Sequence, residues 1–152
     1  MKLENLVCSL EQSKKLKELG VVQDSLFYHF PNVNTEQIKE KYDLPDYTIQ
    51  SANFTFPKHY DNIRQKCLNG ELNNTYSAFT ASEILQMLGN YFTQDELMQR
   101  IKICLVILKN KFKFLPHPEG NSHILFITDL LINLVKREIL KMEDINHRLT
   151  NS

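Results

Sequence analysis

The chain alternates between apolar spacing of three and four residues and strict two-residue alternation, and each switch marks an element. Ser9-Leu10-Glu11-Gln12 has the form of a capping box. In that motif the hydroxyl accepts the amide three residues on, and the Gln side chain reaches back. Strong helix formers follow to Leu19, and Gly20 suits the left-handed closing position, so a helix is predicted over 10–19. Ser25 to Phe30 is aromatic and stops at Pro31, which predicts a strand with Leu26, Tyr28 and Phe30 on one side and Phe27 and His29 on the other. Thr35 to Ile38 reads as one helical turn. Tyr47–Gln50 and Asn53–Phe56 alternate, predicting two further strands or one bent strand, with Pro45 and Pro57 at their ends.

The second half is more helical. Thr80-Ala81-Ser82-Glu83 is a second capping box and predicts a helix over 81–88, closed by Gly89. A third, Thr93-Gln94-Asp95-Glu96, opens another helix, with Leu97, Ile101, Cys104, Leu105, Leu108 and Phe112 at helical spacing. Lys111–Phe114 alternates and reads as a strand able to pair with His123–Ile127 across the loop 117–122. Leu131, Leu134, Val135, Ile139, Met142, Ile145 and Leu149 predict a helix from 129 to about 147, capped by Thr128 or Asp129 and broken near Glu138. Burying each such aliphatic side chain contributes roughly 1.5–3 kcal/mol, which makes this stripe core or a partner-binding face.

The elements together give an α+β class: a small antiparallel sheet covered by three or four helices. A length of 152 residues fits one domain over 1–152. The polar segment 58–75, with its Asn69-Gly70 turn signal and a short helix near 61–68, reads as a surface connection between an αβ half and a mainly helical half. No stretch approaches the ~18 apolar residues of a membrane span. Met1–Val7 has no apolar core of a secretory signal, so the expectation is a cytoplasmic protein that does not enter membranes.

Charge and chemistry-bearing residues change that picture little. Eighteen basic and eighteen acidic side chains are interspersed, without the basic stripe of a dedicated nucleic-acid binder. Cys8, Cys67 and Cys104 are too few and too far apart for a zinc motif, and nothing in the sequence sets a histidine beside any of them. His117 and His123 flank Glu119, but a flexible interval gives them no fixed geometry. His29 reads as a packed strand residue, and capping accounts for Glu83. The sequence offers no nucleotide, hydrolase or metalloprotease motif. The reading therefore assigns no catalytic, cofactor-binding or metal residue, and no cofactor.

The second-best reading is a winged helix, with helix 80–89, a helix from 94 and a hairpin over 112–127 in the right order. Arg100, Lys102, Lys109, Lys111 and Lys113 would face phosphate, although Asp95 and Glu96 at the reading-helix start would repel it.

The blocks Leu6–Glu11, Lys14–Val21 and Gln23–Tyr28 resemble the opening of small phage and prophage proteins, where a capped helix ending Lys-Glu-Leu-Gly precedes an aromatic strand. Tyr76–Thr80 with Glu83 and Leu88 is similar to a second block of those proteins, and Leu130–Val135 to their closing aliphatic helix. Gln12, Ser13 and Ser82 depart from that pattern, and 90–122 has no counterpart in it. The resemblance implies a mobile-element origin and a small α+β fold, and no activity. The combined expectation is a non-enzymatic protein-binding or accessory protein acting through a surface. Phe27, Tyr28, Tyr47, Phe54, Phe56 and Tyr60 are the aromatic candidates for that surface.

Overall fold

The computed structural model describes residues 2–55, 61–89 and 122–151. After a 3-10 turn at Leu3–Asn5 the elements run α1 (Leu10–Leu19), β1 (Phe27–Pro31), α2 (Glu36–Tyr42), β2 (Tyr47–Ser51), α3 (Ile63–Leu68), β3 (Tyr76–Ser77), α4 (Ala81–Leu88), α5 (Ser122–Lys136) and α6 (Met142–Thr150). This is an α+β fold with a three-stranded antiparallel sheet, ordered β2-β1-β3.

The capping boxes predicted at Ser9 and Thr80 both form. Ser9 accepts from Gln12 and Thr80 from Glu83, with each third-position side chain returning the bond. Gly20, at φ 100°, closes α1 with two stacked bonds, Gly20 N to the Lys17 carbonyl and Val21 N to the Leu16 carbonyl. The helix break predicted near Glu138 is present and has the same geometry. Glu138 adopts φ 59° while Ile139 N bonds the Leu134 carbonyl. That one residue in the left-handed region turns the chain, so the aliphatic stripe continues on α6 through Ile145 and Leu149.

Several expectations are corrected. Residues 123–127 lie in α5, so they are no hairpin strand, and the helix starts at 122 rather than 129. Thr128 is no cap. Its hydroxyl bonds the Ile124 carbonyl inside the helix, and Thr128 is fully buried. The strand predicted from Asn53 does not form over 53–55. The chain turns at 52–53 and makes one isolated bridge, Thr55 to Asn62. Ser25 and Leu26 precede β1 rather than belonging to it, the turn at Thr35 grows into α2, and the sequence left β3 unmarked. The capping box at Thr93, the predicted helix from 94, the strand at 111–114, the loop around His117, Cys104, Phe56 and Tyr60 lie outside the described residues.

Two apolar clusters organise these elements. The larger joins Leu16 of α1, Ile84, Met87 and Leu88 of α4, Ile124 and Leu131 of α5, and Ile145 and Leu149 of α6. Polar side chains pin its corners. Gln12 donates to the Leu125 carbonyl and to Asp129, and Asn146 bonds both Val22 N and the Gly20 carbonyl. Arg148 donates twice to the Met87 carbonyl at the end of α4. A Cβ on Gly89 would lie 2.5 Å from Arg148 Nε, so the close approach of Arg148 needs glycine there.

The smaller cluster packs Tyr28, Phe30, Ala52 and Ile63, with Cys67 and Leu72 against it. The segment 58–75 therefore supplies core as well as connection: Ile63 and Thr75 are fully buried.

Candidate functional site

Strand register decides which side chains share a face of the sheet. Phe27 pairs with Ser51, His29 with Ile49 and with Tyr76, and Pro31 with Tyr47, so these residues point to one side. Tyr28, Phe30, Thr48, Gln50 and Ser77 point to the other. α3 closes that second side through Ile63. The first side is covered over β3 by α1, whose Lys14 ammonium stands 5.6 Å from the ring centres of both Tyr47 and Tyr76. Lys17 lies 5.0 Å from the Tyr76 ring and donates to the carbonyls of Leu72, Asn73 and Thr75.

Over β2 the same side is open. A hollow of about 690 Å³ lies between β2 and the N-terminal segment, within the size range of binding pockets. Leu3, Glu4, Cys8, Ser9 and Leu10 form one wall, His29 the floor, and the consecutive residues 45–49 the other wall. Tyr47, Thr48 and Ile49 are consecutive residues of β2 and alternate in direction, so they line one hollow only where it runs along the strand's backbone edge. A second depression, about 240 Å³, is formed by the outer surface of α3 alone, from Asn62 to Asn69.

No local motif pairs a histidine with a cysteine, yet the fold brings His29 against Cys8. His29 Nε2 is 3.0 Å from the Cys8 carbonyl oxygen. A carbonyl only accepts, so Nε2 carries the proton and donates. Burial pushes the imidazole below its usual value near 6.5, and the bond to Cys8 opposes that in part. The ring is held neutral and its proton is committed to backbone. The Cys8 thiol is turned to Ser13 Oγ at 3.0 Å, and burial pushes it up to about 11. Such a thiol is protonated at neutral pH and a poor nucleophile. Cys67, half-buried on α3, is also pushed up to about 11 by burial.

No family model matches the chain, and no curated protein or solved structure is significantly similar to it.

The other sequence candidates are dispersed. Glu83 is buried and gathers Ser25 Oγ at 3.2 Å, Leu26 N at 3.3 Å, Thr80 N at 3.0 Å and Thr80 Oγ1 at 3.1 Å. It caps α4 and also ties that helix to the start of β1. His117 and Glu119 lie outside the described residues, and of His123 only the backbone, within α5, is described. Among the described residues no group of three His, Cys, Asp or Glu side chains is placed to hold a metal. Among them, too, no helix is long and apolar enough to cross a membrane. Of the candidate aromatics, Tyr28 is fully buried, Phe27 and Tyr47 are half-buried, and Phe54 is exposed.

Proposed function

We propose that this chain is a non-enzymatic protein-binding accessory module, and that it binds through the hollow between β2 and the N-terminal segment. The mobile-element origin belongs to the same proposal and rests on the resemblance of the Leu6–Tyr28 and Tyr76–Leu88 blocks to phage proteins.

The observation that carries the reading is the character of the hollow. Its walls are mainly Leu3, Leu10, Pro45, Tyr47 and Ile49, and its polar floor is already engaged. An apolar recess whose imidazole and thiol are both already engaged favours association over chemistry, because a reacting centre needs an uncommitted imidazole or thiol. The winged-helix alternative loses its second hairpin strand, since 123–127 are helical.

A test is titration of an arrayed peptide library against the intact protein, followed by amide chemical shifts. Binding that moves Leu3–Leu10 and Tyr47–Ile49 and disappears in Ile49→Asp, with circular dichroism unchanged, supports the proposal. Shifts confined to other surfaces, or steeply salt-dependent binding of random duplex DNA in place of peptide, overturn it.

A further inference from the structure

Resting on that reading, we infer that the occupant of the hollow is an extended polypeptide strand carrying an arginine or lysine, added to the free edge of β2. Two observations support this: the hydrogen-bond phase of β2 and the charges around the hollow.

The bonds from Asn32 N to the Asp46 carbonyl and from Ala52 N to the Leu26 carbonyl fix the phase of the β1–β2 ladder. Even-numbered residues of β2 bond β1, so the N–H and C=O groups of Tyr47 and Ile49 point away from it. Among the described residues β2 pairs with β1 alone. Edge strands of soluble proteins are commonly blunted by lysine or proline within the strand or by a bulge. Tyr47-Thr48-Ile49-Gln50-Ser51 has none of these, and Pro45 sits just outside it. The hollow follows this edge, so an incoming strand would place main chain against Tyr47 and Ile49 and alternate side chains toward Leu3 and Leu10.

The charges around the hollow select the strand's chemistry. Its charged lining residues are Glu4 and Asp46, with no lysine or arginine among them. Glu4 is exposed and makes no ion pair among the described residues. Asp46 meets Lys39 at 3.6 Å while its side chain stays 82% exposed. The nearby Lys14 is committed to the Tyr47 and Tyr76 rings. A cation on the incoming strand therefore meets two carboxylates, and an acidic strand meets repulsion.

Three short acetylated and amidated peptides test this against the full chain. One alternates valine and threonine around a central arginine, one is the same with alternate amides N-methylated, and one has glutamate for arginine. The expected result is binding of the first at the hollow, with at least about tenfold weaker binding of each of the others. In the double variant Glu4→Lys/Asp46→Lys the preference between arginine and glutamate peptides reverses. Equal binding of the N-methylated peptide overturns strand addition, and an unchanged charge preference overturns the cationic occupant. Both of those results leave the protein-binding reading standing. If none of the three peptides and no library peptide reaches the hollow, both fall together.

Discussion

The two faces of the sheet are built from the same alternating strands but end in different states. On one face Tyr28 and Phe30 are sealed by Ile63 of α3 into an apolar cluster. On the other, α1 covers β3 and leaves β2 beside a hollow floored by His29. The difference comes from where the connections run. The chain after β2 turns at 52–53, and α3, the next described helix, begins at Ile63, whose N–H bonds the Phe54 carbonyl, so the closed face is covered locally. The open face depends on α1, which precedes the sheet and is drawn toward α5 by Gln12. The face sealed by its own next helix is closed into core, whereas the one covered from a distance retains a hollow.

The sharpest way to break this comparison is to shorten one aliphatic side chain on each face. Ile63→Ala should cost about 2–5 kcal/mol in urea unfolding, the range for fully buried aliphatics. Ile49→Ala, half-buried beside the hollow, should cost under about 1 kcal/mol. Equal costs would mean that the hollow is as tightly packed as the closed face.

Glu83→Gln comes next. It weakens the acceptor shared by Ser25, Leu26 and Thr80, which joins β1 to α4, and should cost about 1–3 kcal/mol. A loss no larger than a single cap, about 1 kcal/mol, would show that the ties to Ser25 and Leu26 contribute little.

His29 makes the open face sensitive to acid. The folded protein holds the imidazole neutral, with its affinity for a proton lowered by burial. The unfolded chain binds that proton near pH 6.5, so it takes up more protons than the folded state below that value. Stability is therefore full above about pH 6.5 and declines as pH falls, with a slope from this group of at most about 1.4 kcal/mol per pH unit. His29→Gln should flatten that decline. An identical pH profile in the variant would assign the acid sensitivity to other groups.

The smallest effect belongs to the closed face. Ser77 is fully buried opposite Tyr28, and its hydroxyl has no hydrogen-bond partner among the described residues. Ser77→Ala should be neutral or stabilising by up to about 1 kcal/mol, because the variant has no hydroxyl to desolvate. A clear loss in thermal unfolding would mean that the hydroxyl is satisfied in solution.

Local signals determined much of this protein. Ser9 with Gln12, Thr80 with Glu83, Gly20, and the alternation in β1 and β2 act within a few residues, so those elements were legible in the sequence. Tertiary structure decided the rest. The apolar run 123–127 suits strand or helix equally, and burial against α4 within the larger cluster made it helix. β3 is two residues long, too short to leave a periodic trace, and exists because β1 offers an edge. Asp43 closes α2 in a conformation that its side chain disfavours, which no composition rule marks. The meeting of His29 with Cys8, and the hollow beside them, spans 21 positions in the chain. Contacts over that distance are set by how layers stack, and stacking is a property of whole faces rather than of any short motif.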